Sequence, residues 1–153
     1  MERPTIARVT DGDLTDLLVL MRAYCDFYGV GPQDEALLTL SRALIADPEH
    51  EGLQLIARDR TGRALGFATI FWSWNTLTAS RIAVMNDLYV DPAARGTGLA
   101  DQLIGACVAA CRERGGVTTL AWQTASDNLR AQAVYARVGA EAAQWIDYSL
   151  PID

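Results

Sequence analysis

The chain of 153 residues has one histidine, His50. It lies in the polar turn Asp47-Pro48-Glu49-His50-Glu51, where a solvated surface role is expected. A Ser-His-Asp hydrolase needs an imidazole as base, and no second histidine is there to serve. Cysteine is scarce as well. Cys25, Cys107 and Cys111 are odd in number and lack metal-ligand spacing, so no metal is expected. Cys107 and Cys111 lie four apart and read as small core hydrophobes; reduced thiols fit a cytoplasmic protein. No apolar run is long enough to cross a bilayer, so no membrane partner is expected. Met1-Glu2-Arg3-Pro4 lacks the basic segment and apolar core of a secretory leader. Positive charge is in deficit, with 13 Lys and Arg against 19 Asp and Glu and a net charge of -6. That balance argues against nucleic acid as the main partner, because phosphate binding relies on a basic face. It favours encounter with cationic ligands.

Half of the residues are hydrophobic, which is enough for one globular domain spanning residues 1–153. Thr5 to Val9 reads as a short strand. Thr10 or Asp11 can cap a helix through Leu14, Leu17, Leu18, Met21 and Cys25, stopped at Gly29-Val30-Gly31-Pro32. A second helix covers Asp34 to Ala46. Leu53 to Ala57 and Ala64 to Trp72 flank Asp59-Arg60-Thr61-Gly62 as a hairpin, and Ile82 to Val90 forms a third antiparallel strand. A helix running to about Glu113, a strand over Thr118 to Thr124, a helix over Asn128 to Val138 and a strand over Trp145 to Leu150 complete the chain. The order β-α-α-β-β-β-α-β-α-β describes an α/β (α+β) layer fold, a mixed sheet covered by helices.

Chemistry is suggested first by Arg95-Gly96-Thr97-Gly98-Leu99-Ala100. It follows the apolar run Leu88-Tyr89-Val90 and opens a helix through Leu99, Leu103, Ile104, Cys107, Val108 and Cys111. A glycine turn at a helix start offers unpaired amides and the positive end of the helix dipole to an anion such as a pyrophosphate. Without a Cβ, the backbone can come close to that anion. Taken alone, the same glycines also suit an ordinary strand-to-helix turn.

With Arg95, Gly98 and Ala100 in their spacing, and Asn128, Ala131, Val134, Tyr135, Arg137 and Gly139 downstream, the chain resembles the GNAT superfamily of acetyl-CoA-dependent N-acetyltransferases. The resemblance is strongest from Asp87 to Ala140. It implies a mostly antiparallel central sheet flanked by helices. It implies that the turn's amides, from Arg95 to Ala100, hold the cofactor pyrophosphate, and that Leu88 and Val90 pair their backbone with the pantetheine arm. The parallel strands around Met85 to Val90 and Thr118 to Thr124 are expected to diverge and leave room for acetyl-CoA. Asn128 is implied as a cofactor contact, the Leu88 amide as an oxyanion donor, and Tyr135 as a neighbour of the cofactor sulfur. A phenol of pKa about 10 can protonate a leaving thiolate of pKa about 8.5 in a nearly balanced transfer, so Tyr135 is the candidate general acid.

An alkylammonium of pKa about 10.4 must lose a proton before it attacks. The resemblance implies Asp87 for that task, although some relatives carry two adjacent acids where this chain has Asn86-Asp87. The other reading of Asp87 is a residue on the far face of the sheet, capping a loop. Tyr24, Asp26 and Tyr28, at the end of the first helix, are candidates for binding a cationic amine by charge and cation–π contact. Trp122 joins them from the strand expected beside the cofactor, with Gln123 next to it, whereas Trp72 and Trp74 read as core or contact residues.

The expected activity is transfer of an acetyl group to a primary amine of a small molecule, polyamine or amino-acid-like, by direct attack in a ternary complex. Acetylation of a protein or peptide, and a non-catalytic acyl-CoA-binding regulatory domain, are the alternatives. The resemblance also implies a homodimer, associating through the last strands around Trp145-Ile146.

Overall fold

Short loops between successive extended runs force neighbouring strands to pair antiparallel, as the turns at residues 59–63 and 76–79 do here. The computed structural model describes residues 2–153, which divide into two units, one ending at Gln123 and the other covering Thr124–Asp153.

The first unit contains a five-stranded sheet in the order β1-β2-β3-β4-β5: β1 (Thr5–Arg8), β2 (Gly52–Arg58), β3 (Ala64–Asn75), β4 (Ser80–Val90) and β5 (Val117–Ala121). The first three pairings are antiparallel, and β5 joins β4 in parallel. Helices α1 (Leu14–Phe27) and α2 (Asp34–Ala46) follow β1, and α3 (Leu99–Arg114) connects β4 to β5. Thr10 accepts no simple helix cap. Instead its N–H donates to Asp13 Oδ2 at 2.9 Å across a single 3-10 turn that leads into α1. Arg58 at the end of β2 reaches back to Asp13 at 2.8 Å and Asp16 at 2.7 Å, fixing where α1 starts against the sheet. In the β2–β3 turn, Asp59 Oδ1 accepts from the Thr61 and Arg63 amides at 2.9 and 3.0 Å.

Alternation along β3 decides which helix meets which face. Phe67 packs with Tyr24 of α1 and Tyr89 of β4, ring centroids 5.9 and 6.2 Å away. Its neighbour Gly66 faces Leu103 of α3. So α1 covers one face of the sheet and α3 the other. The core on the α1 face gathers Val9, Leu17, Leu20, Met21, Ile56 and Phe67, all buried. Truncating the fully buried Phe67 to alanine is expected to cost about 3–5 kcal/mol, measured by denaturant unfolding.

The three cysteines are free and buried, two of them along α3, as the sequence predicts. Trp72 is a packing residue: its Nε1 donates to Pro48 O at 2.8 Å and Arg114 lies 5.1 Å over its ring. Trp74 is exposed beneath Arg81. His50 stays at the surface, 3.0 Å from Asp47. No helix among the described residues is long and apolar enough to cross a membrane.

The second unit holds α4 (Leu129–Arg137), entered through Asn128, whose side-chain oxygen accepts from the Ala131 amide at 3.1 Å. The strand expected over Trp145 to Leu150 does not form. The segment has no regular structure, and Trp145, Tyr148 and Leu150 are more than four-fifths exposed. An alternating sequence becomes a strand only where a ladder partner takes its backbone groups, and no pairing to this segment exists among the described residues.

Candidate active site

The site of interest in the first unit forms where β4 stops being a regular strand. Thr69 pairs with Asp87 while Ile70 pairs with Met85, so Asn86 is an extra residue on β4. A bulge of this kind increases local twist and re-aims side chains. On the other side of β4, pairing to β5 ends at Val84↔Ala121. From Met85 onward β4 has no β5 partner among the described residues, which leaves that edge of β4 unpaired. The strand expected over Thr118 to Thr124 is therefore shorter. It ends at Ala121, and Trp122 and Gln123 lie beyond it rather than on it.

The direction of the open edge follows from two hydrogen bonds. Asp91 N–H donates to Leu65 O of β3 at 2.7 Å, whereas Val90 O accepts from Arg95 Nε at 3.2 Å. Backbone groups alternate sides along such a strand. Leu88 and Val90 thus turn their N–H and C=O away from β3, toward the unpaired edge.

After β4, Asp91 caps a short 3-10 turn by accepting from the Ala93 amide at 2.9 Å, with Pro92 beginning that turn. Thr97 Oγ1 donates to Ala94 O at 2.6 Å and closes the loop. Gly96 and Gly98 have φ of 79° and 84°, a left-handed backbone that costs an L-residue about 1–2 kcal/mol. A Cβ on either would meet nothing within 4 Å, so the space above the turn is open. Gly98 is the N-cap of α3 and has no side chain to cover the first-turn amides, which therefore face that space. This is a cradle shaped for an anion. Leu99 itself is buried and anchors the helix start in the core.

Asp87 lies on the α1 face, opposite Thr69 and beneath Tyr24. It caps no loop. Its carboxylate accepts from Asn86 Nδ2 at 3.0 Å, with the Thr69 and Tyr24 hydroxyls beside it. Burial holds its pKa above the ordinary aspartate value, and those three donors offset part of the rise. Beside it Asn86 presents a neutral donor rather than a second carboxylate. Tyr24 is half-buried. Its Oη donates to Asn86 O at 3.3 Å and its pKa is pushed upward, chiefly by burial and then by the charge of Asp87, so it remains a neutral phenol. Tyr28 packs edge-on against Tyr24 at 5.0 Å and is 56% exposed. Asp26 is two residues from Tyr24, about 200° around a helix, and stands exposed on a different face. The structure thus groups Tyr24, Tyr28 and Asp87 and leaves Asp26 outside that group. Arg22 ties α1 to the following segment through an ion pair with Asp34 at 3.0 Å and a hydrogen bond to Pro32 O.

In the second unit, Asn128 spends its side-chain oxygen on the α4 cap, which uses neither of its N–H donors. Tyr135 lies part-buried on the same helix, one turn beyond Ala131.

The sequence from 17 to 140 matches the model of the Acetyltransferase (GNAT) family. The chain belongs to that family. Its activity is that of an acyltransferase. The GNAT chain is 26% identical over 136 residues to YhfO of Bacillus subtilis strain 168, an uncharacterized N-acetyltransferase, covering 89% of each. A probable acetyltransferase of known crystal structure is 29% identical, with a TM-score of 0.83 over 97% of this chain and 98% of that one. The fold is shared with AAC(6')-Iy, solved with the bisubstrate analogue CoA-S-monomethyl-acetylneamine, at 21% identity and a TM-score of 0.84 over 99% and 100% of the two chains.

Two residues of this GNAT site escape a reading of the sequence alone. Gln54 and Thr69 are single polar residues inside the apolar runs Leu53–Ala57 and Phe67–Phe71. Each is an anomaly in its own strand. Only the register, Gln54↔Thr69↔Asp87, shows that the two lead to the carboxylate.

Proposed function

We propose that the protein transfers an acetyl group from acetyl-CoA to a primary amine of a small molecule, polyamine or amino-acid-like, by direct attack in a ternary complex. The observation that carries this reading is the conjunction on β4: a half-buried carboxylate at Asp87, an unpaired backbone edge at Leu88 and Val90, and an open anion cradle at Gly96 to Ala100. The amides from Gly96 to Ala100, with Arg95, hold the pyrophosphate. Leu88 and Val90 hold the pantetheine arm, and the Leu88 N–H donates to the oxyanion. Asn128 adds a cofactor contact through its amide group.

On the acceptor side, Asp87 takes a proton from the ammonium, and the freed nitrogen attacks the thioester carbon. The carbon–sulfur bond breaks, Tyr135 protonates the departing thiolate, and the second proton lost from nitrogen restores the phenol while Asp87 releases the first. The products are an amide, a free thiol and one proton returned to solvent. Tyr24 and Tyr28 present aromatic faces to the cation next to the Asp87 charge, and Trp122 borders the acceptor more distantly. Small cationic acceptors are favoured by that aromatic and acidic lining and by the net charge of -6. In this reading residues 1–153 act as one domain in a cytoplasmic homodimer.

The test is release of free thiol from acetyl-CoA with a panel of polyamines, amino acids, aminoglycosides and lysine-containing peptides. Turnover concentrated on small amines supports the reading, and preference for peptides overturns the substrate class. Gly98→Ala forces a Cβ into left-handed backbone above the cradle, so the Kd for acetyl-CoA is expected to rise about tenfold by calorimetry, equivalent to about 1.4 kcal/mol.

A further inference from the structure

The buried polar residues among the described residues are Ser41, Gln54 and Thr69. They form one line. Ser41 Oγ donates to Met21 Sδ at 3.7 Å, Gln54 Nε2 reaches the same sulfur at 3.7 Å, and Gln54 Nε2 donates to Thr69 Oγ1 at 3.0 Å. Gln54, Thr69 and Asp87 lie directly opposite one another on β2, β3 and β4, so their side chains share the face covered by α1. A core of apolar residues could fill this space. Instead Gln54 Oε1 is buried without a hydrogen-bond partner, an arrangement that costs stability. A local rule broken at a cost, on a line that ends at a candidate base, points to function rather than packing.

The consequence lies in the direction of the hydrogen bonds. Thr69 Oγ1 accepts from Gln54, so its own proton is directed onward, toward the Asp87 carboxyl directly opposite on β4. A hydroxyl held this way favours the charged form of the acid and fixes its rotamer. We propose that Thr69, its proton direction set by Gln54, is a positioning residue that keeps Asp87 ionised and aimed for proton abstraction. This rests on the reading of Asp87 as the base.

The groups facing Asp87 are few. From α1 come Tyr24 and, through it, Tyr28; from β3 comes Thr69; from β4 itself comes Asn86. None is a cation, and α3 covers the opposite face. Loss of the Thr69 hydroxyl therefore leaves no charged partner to compensate.

The test is a carbon-13 NMR titration of the Asp87 carboxyl, beside the pH profile of kcat/KM for the first small amine the panel shows to be acetylated. Thr69→Val is expected to raise the proton affinity of Asp87 about tenfold and to move the acid limb of the profile upward by the same amount, with KM for acetyl-CoA unchanged. Thr69→Ser restores both. Gln54→Met, which keeps the Thr69 hydroxyl but frees its proton to turn away, moves both in the same direction by less. An Asp87 titration and acid limb unmoved in folded Thr69→Val and Gln54→Met overturn the proposal. An Asp87→Asn enzyme that keeps the wild-type limb overturns the reading of the base, and the proposal with it. Loss of that limb in Asp87→Asn alongside an unmoved Thr69→Val overturns the positioning role alone.

Discussion

Asp87→Asn is expected to lower kcat/KM for the amine about a hundredfold or more, the usual contribution of a positioned general base, and to abolish the acid limb of the pH profile. In the wild type that limb reflects a carboxylate whose pKa burial has raised above the ordinary aspartate value. Activity falls as pH drops through it, because the protonated acid cannot take the ammonium proton. Stability runs the other way. The folded chain binds this proton more tightly than the unfolded chain does, so the fold gains stability as pH falls through the raised pKa, and above it the buried charge is a cost. Asparagine removes that cost at neutral pH. The variant is therefore expected to melt at or above the wild-type temperature while losing turnover, a combination that misfolding does not produce.

Tyr135→Phe carries the second large effect. Removing a general acid that protonates the thiolate is expected to lower kcat about a hundredfold or more, with the Kd for acetyl-CoA changed little. Steady-state rates and calorimetric titration with acetyl-CoA separate the two quantities. Equal losses in both would identify Tyr135 as a packing residue of α4. With the acid gone, the rate should also become sensitive to the leaving thiol, since the thiolate then departs without a proton.

The sequence was informative wherever a local rule acts. Gly96 and Gly98 stand at positive φ ahead of α3 because strand, proline-capped turn and amphipathic helix succeed one another within one short segment. The α2 limits, Asp34–Ala46, follow from the stop at Gly31-Pro32 and the break at Asp47-Pro48. Features that depend on distant partners were not legible. Tyr24 meets Asn86 across 62 residues of chain, and nothing near either residue announces the other. The bulge at Asn86 and the end of β5 pairing at Ala121 are set by the sheet as a whole, which is why Trp122 falls outside its expected strand. Trp145 to Leu150 has the alternation of a strand, but alternation does not supply a ladder partner. Asp26 adjoins Tyr24 in sequence, but the helix turns it to another face.

In the proposed reaction the acetyl group passes directly from acetyl-CoA to an amine with both bound at once. Initial rates of thiol release over a grid of acetyl-CoA and amine concentrations test it most directly. Turnover is expected, with double-reciprocal lines that intersect and acetylated amine formed in equal amount to free thiol. Parallel lines, or tight binding of acetyl-CoA with no amine ever acetylated, would contradict it.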